Sequence, residues 1–153
     1  MKATQISLTG LELIAQFEGF RSKPYLCPAK VPTIGYGTTI YPGTKQKVSL
    51  QDPPITMELA IHILREDVKH YAQAVDNMTV DTINQNQFDA LTSFAYNLGT
   101  EALRKSTLLK KVNVNPNDKD IAKEFAKWIN AAGKPLPGLI KRRQAESNLY
   151  FKI

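Results

Sequence analysis

The segment "NQNQFDALTSFAYNLG", residues 84–99, constrains the fold more than any other part of the chain. Its apolar residues fall on more than one side of a helix, so a single amphipathic face cannot satisfy it. Such a helix needs neighbours all round, which predicts the centre of a helical bundle, with Gly99 stopping it. The surrounding sequence supplies candidates. Met57 to Val75 carries Met57, Ala60, Ile61, Leu64, Val68, Tyr71, Ala72 and Val75 on one stripe, a long amphipathic helix that Thr56 caps. A helix around residues 107–112 follows. "NPND" then leads to a helix carrying Ile121, Phe125, Trp128 and Ile129. The "AAGKPLPG" segment reads as a loop, and a basic helix starts near Leu139.

The first forty residues obey different rules. Thr9-Gly10-Leu11-Glu12 reads as a capping box, followed by Leu11, Ile14 and Ala15 on one face, with Glu18 as its i+7 member and Gly19 as the stop. From Lys23 to Tyr41 the signals change to strand and turn: "KPYLC" and "TIGYGTTIY" are separated by a turn bearing Pro28 and Pro32. A period of two puts Thr33, Gly35 and Gly37 on one face, nearly free of side chains, as expected where another group approaches the backbone. Helices segregated from one small antiparallel sheet predict an α+β chain, predominantly α. Its 153 residues suffice for one domain, with a small β lobe at about 19–55 and a helical lobe at about 57–153. Helix 9–18 packs on the helical lobe, and the cleft between lobes is the expected binding site.

Glu18, Cys27 and Thr33 are the candidates for chemistry. On an apolar face at a helix C-terminus, Glu18 is expected to favour its protonated form, as a general acid requires. An amide there should then leave stability equal or higher. Read singly, each has a plainer reading: an exposed Glu in a last turn, a small buried hydrophobe, an ordinary strand residue. His62 and His70, eight apart on the long helix, are too far apart for an i, i+4 metal pair and read as surface residues. The single cysteine excludes an intramolecular disulfide and the usual structural zinc patterns.

Glu18, eight residues, Cys27, five residues, Thr33, then "IGYG", resembles the catalytic signature of phage T4-type lysozymes, the family 24 glycoside hydrolases. "FEGFRSKPY" is similar to that family's opening, "QFDALTSFAYNLG" to its central helix, and "GLIKRRQAESNLY" to the terminal segment of its lambdoid branch. The resemblance covers nearly the whole chain and implies a lysozyme-like fold. It implies an endolysin that hydrolyses the β-1,4 bond between N-acetylmuramic acid and N-acetylglucosamine in peptidoglycan, with no cofactor and no metal. Carried over by position, Glu18 would be the acid, Cys27 would stand where most members have aspartate, and Thr33 would help hold the attacking water. The resemblance implies inversion, which needs the acid and its partner ~6.5–9.5 Å apart. Tyr96 and Asn97 match an aromatic-amide pair lining the cleft, and Thr107 matches a further cleft residue. A neutral thiol is a poorer acceptor than a carboxylate, whereas a thiolate could replace it, and cysteine is a variant in part of the family.

Charge is lopsided: residues 1–101 hold 8 Lys/Arg against 10 Asp/Glu, and residues 102–153 hold 12 against 4. A basic half suggests a polyanionic partner, and an anionic wall or outer-membrane surface fits the resemblance. Lys141, Arg142 and Arg143 are the leading contributors, with Arg142 or Arg143 alternatively held in ion pairs. A wall-binding or membrane-disrupting protein with a degenerate site is the alternative function. A nucleic-acid domain is a further rival, but no nucleic-acid motif supports it, so no such partner is expected. The start of the chain has no apolar h-region and no run reaches ~18 apolar residues. The expectation is therefore a monomer without a membrane span, accumulating in the host bacterial cytoplasm and reaching periplasmic peptidoglycan through a holin-type lesion.

Overall fold

The computed structural model describes residues 2–153. Seven helices and two hairpins follow in the order α1 (Leu8–Glu18), β1 (Arg21–Leu26), β2 (Pro32–Gly35), α2 (Met57–Met78), α3 (Gln85–Leu98), α4 (Thr100–Lys105), α5 (Thr107–Val114), α6 (Ile121–Ala126), β3 (Asn130–Ala131), β4 (Lys134–Pro135) and α7 (Pro137–Tyr150). The fold is α+β and predominantly α, as the helix-and-hairpin pattern predicts.

Helix α3 is the buried centre: every residue from Gln87 to Ala95 is buried. A reciprocal cap starts it, the Asn84 side chain accepting from the Gln87 N–H while the Gln87 side chain accepts from the Asn84 N–H. Around it lies a large core that includes Phe88, Phe94, Leu103, Val112, Phe125 and Tyr150. A smaller cluster joins Leu11 and Ile14 of α1, Tyr36 of the hairpin region, and Ala60, Leu64 and Val68 of α2. Helix α2 feeds both clusters, its first half buried in the smaller and Ala72 and Val75 in the larger. Its N-cap is Thr56, as expected.

Several local expectations are corrected. Helix α1 starts at Leu8 and is capped by Ser7, not Thr9. Ser7 Oγ accepts the Gly10 N–H at 3.2 Å and donates to Asp89 of α3, so the cap also docks the helix on the core. Thr9 lies inside the first turn and is exposed. The strand alternation through Gly37 also fails. Strand β2 ends at Gly35, and Ile34 pairs with Thr38 across a tight turn. Gly35 and Gly37 take φ of 65° and 85°, the left-handed region that glycine enters without Cβ strain. Helix α4 was not expected. The 130–135 segment is a hairpin rather than a loop, turning through Ala132 and Gly133, both at positive φ. Trp128 and Ile129 lie beyond the end of α6.

Candidate active site

Helix α1 ends where Gly19 takes φ 73° and its N–H reaches the Ala15 carbonyl at 3.1 Å, leaving Glu18 as the last helical residue. The apolar surroundings expected for its carboxylate are not there. The side chain is 24% exposed, and its Oε1 accepts a hydrogen bond from Arg142 Nη1 of α7 at 2.7 Å. Gly37 comes up against the other oxygen: a Cβ there would sit 3.4 Å from Glu18 Oε2. The glycine in the turn therefore permits the close approach that its spacing predicts.

Glu18 opens into a cleft of about 480 Å³ between the turn after β2 and helices α2 and α3. Tyr71 and Tyr96 meet edge to face at 5.1 Å and form an aromatic wall, extended by His70 at 5.4 Å from Tyr71. Burial, and then the negative charges of Glu18 and Asp67, push the Tyr96 phenol up, so it stays a neutral hydroxyl. Across the cleft the Thr38 hydroxyl donates to Asp67 Oδ2 at 3.1 Å. Desolvation raises the Asp67 carboxyl, and the Thr38 bond partly offsets that shift. Asn97 also lines the cleft, its Oδ1 accepting from Arg143 Nη2 at 2.7 Å. A second hollow of about 440 Å³ lies beside Glu18 and Asn97, against the start of α7. The two residues thus stand between two open spaces, a layout that suits a polymeric ligand better than a small enclosed one.

Cys27 and Thr33 lie close together near the free end of the β1–β2 hairpin. The Cys27 N–H donates to the Val31 carbonyl at 3.1 Å, and Thr33 Oγ1 donates to the same carbonyl at 2.9 Å. Thr33 is buried and Cys27 half-exposed. The Cys27 thiol is pulled below its ordinary value, chiefly by hydrogen bonding at Val31, with smaller help from Ala29 and Thr33 and against a desolvation effect. Neither residue lines the 480 Å³ cleft. Of the six residues singled out in the sequence, the structure brings Glu18, Tyr96 and Asn97 to one cleft, and Cys27 and Thr33 to the free end of one hairpin. Thr107 opens α5 behind its cap Ser106, exposed, and lines neither hollow.

Other cleft residues escape the sequence reading. Asp67 and His70 lie an i, i+3 step apart on α2, beside its apolar stripe, where periodicity favours solvent-facing readings. His70 is exposed, as expected, but exposed into the cleft. Of the two readings for Arg142 and Arg143, the ion-pair alternative holds and the wall-facing one is corrected: their side chains are 4% and 1% exposed and pair with Glu18 and Glu146.

Three comparisons place this geometry among known proteins. The phage lysozyme family model matches residues 15–146. An endolysin of Acyrthosiphon pisum secondary endosymbiont phage 1 is 42% identical over 149 residues, covering 95% of this chain and 97% of that protein. An endolysin of Bacillus phage B103 is 41% identical over 151 residues, and there the alignment covers 95% of this chain but spans about half, 54%, of the relative. Among solved structures, the muramidase domain of SpmX from Asticaccaulis excentricus superposes with a TM-score of 0.82 at 34% identity, covering 97% of this chain and 99% of that one. With its central helix, its hairpin and its glutamate at the end of the first helix inside the matched region, the chain belongs to the phage lysozyme family.

Proposed function

We propose that the chain is an endolysin, a muramidase that hydrolyses the β-1,4 bond between N-acetylmuramic acid and N-acetylglucosamine in bacterial peptidoglycan. The observation that carries this reading is Glu18, a carboxyl group at a helix end that opens into a cleft walled by Tyr71, Tyr96 and Asn97. Aromatic faces with a few amide and hydroxyl groups suit sugar rings and their N-acetyl groups.

In this reading Glu18 protonates the glycosidic oxygen as the bond to the anomeric carbon breaks. Water attacks that carbon from the opposite face, and the anomeric centre inverts. Thr33 helps hold the water, and the Cys27 thiolate, standing in the partner position, accepts the proton the water releases. The lowered thiol supports this role for Cys27, because a thiolate accepts a hydrogen bond where a neutral thiol does so weakly. The enzyme acts on periplasmic peptidoglycan after release from the host cytoplasm through a holin-type lesion. No helix among the described residues is long and apolar enough to cross a membrane.

Digestion of purified peptidoglycan, followed by borohydride reduction and mass spectrometry, tests the bond assignment. Reduced muramitol ends are expected. Reduced glucosaminitol ends, or no new reducing ends, would overturn it. Proton NMR of the first-formed product distinguishes inversion, which gives the α anomer, from retention.

A further inference from the structure

Glu146 is fully buried on α7 and touches neither hollow. Its Oε1 accepts from Ser93 Oγ of α3 at 2.7 Å, from Arg142 Nε at 3.3 Å and from Arg143 Nη2 at 3.1 Å. Its Oε2 lies 2.9 Å from Arg143 Nε as an ion pair, without the alignment of a hydrogen bond. Each of the two arginines then reaches the cleft: Arg142 to Glu18 and Arg143 to Asn97. Buried ion clusters are weak evidence for stability, because desolvation offsets their attraction. This one is also imperfectly satisfied, with Arg143 Nε and Nη1 lacking hydrogen-bond partners among the described residues. Stability alone explains it poorly.

The charge arrangement supplies a better reason. A guanidinium in contact with a carboxyl group favours the ionised form, the wrong state for a general acid. Arg142 has that contact with Glu18, yet it also bonds Glu146. Burial pushes the Glu146 carboxyl up, while Arg143, Arg142 and the Ser93 hydroxyl pull towards its ionised form, and in that form its charge counters the field of Arg142. With both carboxyls ionised the four groups sum to no net charge, and with Glu18 protonated Glu146 still cancels one of the two positive charges. We propose that Glu146 is a positioning residue for catalysis, acting through two buried arginines to place Glu18 and Asn97 and to moderate the positive field on Glu18. The inference rests on the muramidase reading for its kinetic consequence. The charged and titratable groups facing Glu18 are Arg142 from α7 and Tyr96 from α3, with Asp67, His70 and Tyr71 of α2 across the cleft.

The test uses the full chain with Glu146→Gln and Glu146→Asp, each checked for folding, on a soluble glycan oligomer. Glu146→Gln leaves Arg142 less compensated, so Glu18 holds its proton less tightly. The alkaline limb of the pH–rate profile should move down by ~0.5–1 unit, and kcat should fall by ~10-fold with KM within about twofold. Adding Arg143→Gln restores charge balance and should return the limb toward its wild-type position. Glu146→Asp keeps the charge but shortens the reach, so kcat should fall while the limb stays. NMR titration of the Glu18 carboxyl reads the same shift without turnover. A wild-type protein inactive on glycan would therefore sink the muramidase reading, while this inference stands or falls on that titration. A folded Glu146→Gln protein with wild-type kcat and unshifted titration overturns it. If that variant does not fold, wild-type turnover by folded Glu146→Asp does so.

Discussion

Glu18 and Arg142 meet at 2.7 Å, and that single contact changes what substitution at Glu18 should do to stability. With apolar surroundings an amide would relieve strain, and stability would rise or hold. Beside a guanidinium that is 4% exposed, losing the charge leaves a buried cation less compensated. Glu18→Gln should therefore lower stability by about 1 kcal/mol, between the values for exposed and buried pairs, because Glu146 still holds Arg142. Thermal unfolding reads the difference, and a raised Tm would contradict it. Cys27 carries a second prediction. Its thiol lies below its ordinary value, so the reactive thiolate is present at lower pH than in the unfolded chain. Native alkylation by iodoacetamide should rise with pH around a lower midpoint than alkylation of the denatured protein. Cys27→Asp should retain activity, and Cys27→Ala should lose most of it. A native thiol that resists alkylation, together with a fully active Cys27→Ala, would make Cys27 a structural residue. Residue by residue, Glu18 was legible in the sequence because it ends a strong helical pattern, and Tyr96 and Asn97 only through the family resemblance of the helix that carries them. Asp67 was not, because its role depends on Thr38 reaching it across the cleft.

Helix α3 was legible because its apolar residues fall on more than one side of a helix and Gly99 stops it, while its starting cap at Asn84 emerged only in the structure. Asn84→Ala removes the side-chain half of that cap and should cost about 1 kcal/mol, with the glycan cleavage rate of the folded protein unchanged. Gly35 tests the hairpin. At φ 65°, with a Cβ that would stand 3.2 Å from both Ala60 and Ile55, Gly35→Ala should destabilise by roughly 1–2 kcal/mol. Unchanged Tm for either variant would show that the element tolerates what its geometry forbids. The elements that escaped the sequence are short. Helix α4 has six residues, too few for a periodic pattern, and the β3–β4 hairpin turns through Ala132, a residue that rarely signals positive φ. Ser7 escaped for another reason: its capping role is tied to Asp89, 82 residues away.

Over the whole molecule, the basic half of the chain keeps its surface charge after Arg142 and Arg143 are withdrawn into the interior. Lys105, Lys110 and Lys141 stay exposed. Attraction between such residues and an anionic wall is screened over ~8 Å at physiological salt, so lysis of intact wall should decline as salt rises. Hydrolysis of a short, nearly neutral oligosaccharide should change little, and neutralising these three lysines should flatten the dependence on wall alone. Equal salt sensitivity on both substrates would contradict wall steering. The central claim is that Glu18 serves as the acid of a peptidoglycan-cleaving enzyme, and one comparison tests it most directly. Wild type and folded Glu18→Gln are given the same purified peptidoglycan, and the release of reducing muramic acid ends is timed. The variant should be slower by at least ~10²-fold, the scale of a lost general acid; release at close to the wild-type rate would contradict the account.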